Sequence, residues 1–549
     1  VLPLADLGTL PESAAGRHGG TALCADTPWP SAGLRDPETV ADFAAVVADH
    51  ADRLWAAGVR PGTVVALVKA NHLDVQALLC ALVRVGALPA PLSVAMEPDD
   101  LLSCLKELAQ PWLLTDAAGA AALRPWHDRL GGLVARVLTL IPAAGSSGAA
   151  PPAAAPTGES PPGAAPPGAA PTGEAPPGSV FPGAVALGET APHRVTRRPG
   201  TDPVLVTHSS GTTGRPKLLV HTVESLYAHV APQIGVVRSQ HYAGLSAKCL
   251  SFVHVRMATA LLTALHTGVP LLAVTSPDPD AVRAALLRYR PETLEAQPNT
   301  FLRWEALARE TPSPFASVRR YVSTFDAMHP RTLRTLLDAS DDPDPAFVLA
   351  YGQTETGPVT LLTATRSDLR TPGRLDPRDV GAALPGTELR VVDDAGAELP
   401  ADEPGHVEVR TPARAERMIG RPPLPGRDTW WPTGDIGSLG PDGHLRLLDR
   451  RADRVPGVPS ALRAEDVLLD ELPELDEVVV TAAAGGTVTV VAATADGEAP
   501  AAERWRNARR AAGLPDDTRL DCRPWEELPL TGTMKVRRHR LAAADGALG

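Results

Sequence analysis

The sequence predicts an α/β protein, and three observations carry that prediction. Short apolar, strand-like runs alternate with amphipathic helical stretches up to about residue 350. Glycines stand where the helical patterns stop, at Gly58, Gly86 and Gly268. Apolar residues make up 44% of the 549-residue chain, enough to fill a large core.

Taken in order, residues 41–57 read as an amphipathic helix, 64–68 as a strand and 73–85 as a second helix. Residues 142–179 break the pattern. Thirty of these 38 residues are Ala, Pro or Gly, Glu159 and Glu174 are the only charges, and an imperfect repeat starts at Pro156 and again at Pro171. Such a stretch has little to bury and pays full backbone entropy, so a flexible Ala/Pro/Gly-rich insert is expected. Residues 204–207 then read as a strand, 257–266 as a helix, and 269–274 and 347–350 as strands. From about residue 388 the texture changes to short strands with turns, at 389–392 and 406–410 around the turn at Asp394. Past Arg450 a small α+β unit is expected, with strands at 477–482 and 487–493. The predicted organisation is a large N-terminal α/β domain (1–449) with layered sheets and a β-rich end, followed by a small C-terminal α+β domain (450–549).

Composition excludes several classes of function. A formal net charge of −12 argues against nucleic acid or an anionic membrane as the main partner. The five cysteines include no close pair, which argues against a disulfide framework or a zinc ribbon. No uncharged apolar stretch of about 20 residues occurs, so membrane insertion is not expected and a cytoplasmic location is. Basic residues are unevenly chosen: only five of the 52 are lysines, at positions 69, 106, 217, 248 and 535.

Four motifs carry chemistry. The stretch from Thr207 to Lys217 packs Ser209, Ser210, Gly211, Thr212, Thr213, Gly214 and Lys217 into one loop after a strand. Glycines let backbone N–H groups approach a ligand, hydroxyls donate hydrogen bonds, and a lysine supplies a point charge for phosphate. It is not a Walker loop, because the lysine follows a proline and no Ser or Thr follows it; a surface turn has the same composition. Tyr351-Gly-Gln-Thr-Glu-Thr-Gly357 follows an apolar run and suits a nucleotide crevice with a metal-binding Glu355. Trp431-Pro-Thr-Gly-Asp435 reads as a turn whose aspartate grips ribose hydroxyls or merely caps the turn. Leu528-Pro-Leu-Thr-Gly-Thr-Met-Lys535 is, in isolation, the start of a basic tail.

In this order the four motifs resemble the adenylate-forming superfamily of acyl-CoA synthetases, peptide-synthetase adenylation domains and luciferases. The resemblance spans most of the chain apart from the insert. It implies ATP and Mg2+ as cofactors, a small-molecule acid as substrate, and a small C-terminal domain that rotates between two half-reactions. Residue by residue, it implies Ser209, Ser210, Thr212, Thr213 and Lys217 around the departing phosphates, Thr354 at the α-phosphate, Glu355 on magnesium and Tyr351 beside adenine. Asp435 and Arg450 would hold the ribose. Lys535 would bridge the attacking group and the phosphate, where two anions must meet.

The chain also departs from the family. Phe325 replaces a glycine beside adenine and substrate, and Asp326 next to it either recognises an amine or the adenine amino group, or pairs with an arginine. His254 and Arg256 fall near the family's acyl-pocket histidine and, read as a strand, share one face, whether pocket or solvent. Lys248 lies close by. In the hinge, Ala452 stands for an aspartate and Pro456 for a lysine, Pro459 for a downstream glycine, and Met534 for the glycine before Lys535. Proline removes an N–H and fixes φ, so the loop that lines the pantetheine tunnel in CoA ligases should be altered. The expected reaction is adenylation of a carboxylic acid, aromatic ones included, with transfer to a thiol, by default CoA. The alternatives are a carrier-protein thiol or an amine as acceptor, including nitrite activation to diazotise an arylamine, and a nucleotide-binding homologue without catalysis.

Overall fold

The computed structural model describes residues 6–30, 36–140, 181, 183–209, 215–325, 328–371, 376, 378–482, 486–494, 496–531, 535–538 and 540–541. The insert expected at 142–179, Ser210–Gly214 of the loop motif, Asp326 and Met534 lie outside them.

A twelve-stranded sheet forms the centre of the chain. Its first half is parallel, in the spatial order Leu23–Ala25, Leu271–Ala273, Ser246–Cys249, Thr293–Ala296, Arg320–Thr324 and Ala346–Gln353. Its second half is antiparallel and begins with the hairpin from Ala346–Gln353 into Gly357–Thr365. The β-rich texture therefore starts some thirty residues before the predicted point, because Gly357–Thr365 turns back on its neighbour instead of crossing over. A second, five-stranded sheet is wholly parallel: Leu88–Ser93, Val64–Lys69, Trp112–Thr115, Arg136–Thr139 and Val185–Ala186.

The predicted helix at 41–57 is Val40–Ala56. Thr39 caps it by accepting from the Asp42 N–H at 3.2 Å while the Asp42 carboxylate accepts from the Thr39 N–H at 3.1 Å. Gly58, at φ +94°, lets the chain leave the helix in a conformation that other residues rarely adopt. Strands buried on both faces, such as Val64–Lys69, read as continuous apolar runs because helices cover both sides. Under the parallel half of the large sheet, Phe301, Trp304, Phe315, Tyr321 and Phe347 form one aromatic core, with Tyr321 and Phe347 stacked at 5.2 Å. Lys69 is structural: its ammonium is buried against Asp74 at 2.6 Å, with Asp116 at 3.6 Å.

Past Arg450, Glu477–Ala482, Val488–Thr494 and Arg519–Pro524 form a separate three-stranded sheet, packed on the helices Ala461–Glu471 and Ala502–Ala511. Two readings of the sequence are corrected. His254 and Arg256 are not on a strand, since His254 is the N-cap of the helix Val255–Thr267. Trp431–Asp435 is not a turn; it opens the strand Trp431–Leu439. Among the described residues, no helix is long and apolar enough to cross a membrane.

Candidate active site

The C-terminal ends of the parallel strands open onto a cavity of about 830 Å³, the place where open α/β sheets bind ligands. Its floor is one face of the sheet, and strand register fixes the floor in rows. The far row holds Ser246, Thr293 and Arg320, the middle row Lys248, Glu295, Val322 and Val348, and the near row Thr324 and Ala350. The helices Val223–Ser239 and Val255–Thr267 roof it, contributing His229, Gln233, Arg256, Thr259 and Ala260.

Residues of three of the four sequence motifs meet at the near end. The strands Pro203–His208 and Leu218–Thr222 pair antiparallel, and Ser209 and Lys217 of the loop motif stand beside their paired ends. The base of the loop is closed by the Ser209 hydroxyl accepting from the Lys217 N–H at 2.9 Å. The Lys217 ammonium reaches the Glu355 carboxylate at 3.2 Å. Thr354 and Glu355 occupy the turn after the strand Ala346–Gln353, and both line the cavity with Ser209 and Lys217.

Asp435 sits just behind the cavity wall. It accepts from the Tyr351 hydroxyl at 2.6 Å, from the Gln353 amide at 3.1 Å and from Arg450 at 3.2 Å, its direct cross-strand partner. Burial and then the Asp435 carboxylate push the Tyr351 hydroxyl well up, which keeps it a donor. Gln353 is the residue that sequence reasoning passed over; its position between Tyr351 and Glu355 was the available signal.

Lys535 enters the same cavity from the C-terminal segment and donates to the carbonyl of Phe325. Phe325 takes φ +100°, a region suited to glycine, at a cost of about 1–3 kcal/mol. Its ring packs at 4.6 Å on the His254 imidazole. The His254 Nδ1 accepts from the Arg256 N–H at 3.1 Å, which leaves the proton on Nε2. Burial, together with His208, Lys535 and Arg256, pushes His254 down to about 3. Arg256 lines the cavity but is engaged: it holds the Glu295 carboxylate with two N–H groups, at 2.6 and 2.7 Å, and donates to Gln233 at 2.7 Å. Ala452 lines the cavity too, while Pro456 and Pro459 are exposed.

The model of the AMP-binding enzyme family matches residues 12–417. The chain belongs to that family. It is an ATP-dependent, AMP-forming ligase of the adenylate-forming kind. The 3-amino-2-hydroxy-4-methoxybenzoate diazotase of Streptomyces cremeus is 39% identical, over 98% of this chain and 95% of that protein. The 4-coumarate–CoA ligase 2 of Oryza sativa subsp. japonica is 31% identical, over 45% of each chain. Among solved structures, the anthranilate CoA ligase AuaEII in complex with anthranoyl-AMP superposes with a TM-score of 0.78 at 18% identity, covering 100% of this chain and 98% of that one, and so shares the fold.

In this AMP-binding enzyme, four histidines are held neutral, His229 and His254 lining the cavity and His208 and His221 buried outside its lining. Burial depresses His208 and His221, takes His229 down to about 4 and, with its neighbours, His254 to about 3. The unfolded chain takes up these protons below about pH 6.5 and the folded chain does not, so stability falls as pH drops from about 6.5 towards 4. Each histidine contributes at most about 1.4 kcal/mol per pH unit in that window. Asp449 and Asp466, raised by burial to about 6 and about 8, act in the opposite sense but are outnumbered. The thermal midpoint is therefore expected to fall steeply between pH 7 and pH 5. A flat profile over that range would contradict the buried, neutral assignment.

Proposed function

We propose that the protein is a diazotase: it adenylates nitrite with ATP and passes the nitroso group to an arylamine. The observation that carries this reading is the 39% identity to a diazotase along nearly the whole length of both chains, where the similarity to the CoA ligase from rice covers under half. The altered hinge agrees with it, because Pro456 and Pro459 remove N–H groups from the loop expected to line a pantetheine tunnel.

In the first step a nitrite oxygen attacks the α-phosphorus and the bond to pyrophosphate breaks. Lys535 is assigned to bring the two anions together, and Lys217 to offset charge on the departing phosphates. Ser209 and Thr354, with Ser210–Gly214, are assigned to the phosphates, and Tyr351, Asp435 and Arg450 to the nucleoside. Glu355 is a hard oxygen donor facing the cavity and fits a magnesium ion; with the ATP phosphates it would hold that ion, which neutralises phosphate charge. In the second step the amine nitrogen attacks the nitroso nitrogen and AMP leaves. The two amine hydrogens then depart as water with the remaining nitrite oxygen, leaving the diazonium. Arylamine, nitrite and ATP thus give diazonium, AMP, pyrophosphate and water, with no oxidant or reductant needed.

Residues 450–549 serve as the lid in this reading. Arg537 pairs with Asp100 at 3.0 Å and Arg540 with Glu97 at 3.3 Å, which holds Lys535 in the cavity for the first step.

The balance supplies the test. One nitrite oxygen ends on AMP, so nitrite labelled with oxygen-18 is expected to give singly labelled AMP when an arylamine is present. Unlabelled AMP formed with a carboxylic acid and CoA would overturn the proposal in favour of thioester synthesis.

A further inference from the structure

The middle row of the cavity floor bears on which arylamine is bound. Glu295 is fully buried, and Arg256 matches its carboxylate with two N–H groups while bonding Gln233 at 2.7 Å and Thr259 at 3.1 Å. One negative charge is thereby met by one guanidinium. Lys248 approaches the same carboxylate at 2.7 Å as a second cation. An ammonium has three N–H donors; among the described residues Lys248 spends one, on Glu295, and its side chain faces the cavity. Arg320, in the far row, is not a comparable surplus, because it lies over the Tyr242 ring at 3.6 Å with Glu292 at 3.8 Å. The neutral His254 adds no charge. A buried excess cation is unfavourable until an anion meets it.

We infer that Lys248 is the specificity-determining residue of the acceptor pocket, and that the acceptor is an arylamine whose ring carries a carboxylate docked on Lys248, with the amine turned towards Lys535. This rests on the diazotase reading for the amine, whereas the anion site follows from the charge count alone. The spacing fits. Lys248 lies one row back from Thr324, about 7 Å along the strands, and two strands across from it, about 10 Å, and the residue after Thr324 is Phe325, whose carbonyl receives Lys535. The diagonal is about 12 Å between backbones; the Lys248 side chain, which reaches Glu295 on the next strand, and one benzene ring with its two substituents share it, and Val322, Val348 and Ala260 supply apolar contacts for the ring. In this arrangement the carboxylate is an anchor at the far side and does not react.

Calorimetric titration tests this on the full chain saturated with AMP, using meta-aminobenzoate and its methyl ester as probes. The native protein is expected to bind the acid at least about 30-fold more tightly than the ester, the scale of a charge-assisted hydrogen bond. Lys248→Met should erase that preference by weakening the acid about 30-fold while leaving the ester within about threefold. In turnover with nitrite and ATP the loss should fall on KM, with kcat within about threefold. Lys248→Gln, which keeps a polar group if the methionine variant does not fold, should lose the preference as well. Equal weakening of acid and ester would mark Lys248 as structural only and overturn the inference. So would a native protein that does not distinguish the two probes or binds neither. Acid preference through Lys248 without nitrite oxygen in AMP would refute the diazotase reading and leave the anion site standing.

Discussion

Lys535→Ala is expected to lower ATP–pyrophosphate exchange at least about 100-fold while ATP binding stays within a fewfold of native. The reason is electrostatic. Nitrite, or any carboxylate in its place, must approach a triphosphate, and several of the cations that line the cavity are already engaged by carboxylates. Lys217 is paired with Glu355, Arg256 with Glu295 and Arg450 with Asp435. Lys535, which lines the cavity and donates to the backbone carbonyl of Phe325, is the lysine assigned to the meeting point. Binding should survive because Tyr351, Gln353, Asp435 and Arg450 form a network without it. The segment itself should stay in place, because the Thr531 N–H to Lys535 carbonyl bond and the Arg537–Asp100 and Arg538–Glu465 pairs do not use the ammonium. Lys535→Arg should rescue little, since a planar fork does not replace a compact charge on a flexible stem. Exchange by the alanine variant within about threefold of native would remove Lys535 from the first step.

Much of this site was legible in the sequence because its parts are local. Thr354 and Glu355 follow an apolar run within four residues of Tyr351, and a loop of hydroxyls, glycines and one lysine advertises its chemistry by composition. The scarcity of lysine drew attention to Lys217, Lys535 and Lys248, but also to Lys69, which proves to be a buried partner of Asp74. What escaped has physical causes. Five residues around His254 are too few to tell a period of two from the first turn of a helix, and the N-cap decides it. Trp431–Leu439 contains a Pro and two glycines and still forms a strand, because its neighbours on both sides hold it in the sheet. The order of twelve strands, and the meeting of Lys248, Arg256 and Glu295 across 39 to 47 residues, follow from crossovers that no local pattern records.

Glu295→Ala should be among the most destabilising single substitutions in the chain, costing about 3–5 kcal/mol. Burial alone would raise the Glu295 carboxyl, and Arg256 and then Lys248 outweigh it, so the group is ionised and held below its usual range. Removing it leaves two buried cations beside each other. They respond differently. Arg256 cannot shed its proton, whereas burial already pulls Lys248 below the usual lysine range, with Glu295 as the main opposing influence. Without Glu295 the Lys248 value must fall further, and this gives the defect a pH signature. The unfolded chain keeps that proton up to about pH 10, and the folded variant loses it earlier. Between those values the unfolded state binds more protons, so the stability of the variant rises with pH. The gap in thermal midpoint between Glu295→Ala and the native protein should accordingly be narrower at pH 9 than at pH 7. Adding Lys248→Met to Glu295→Ala should recover part of the loss and remove the pH dependence, a coupling that two independent defects would not show. A gap that is constant with pH, or a double variant no more stable than Glu295→Ala, would mean that the cost of losing Glu295 lies in the Arg256 pairing and the emptied space, with Lys248 a bystander.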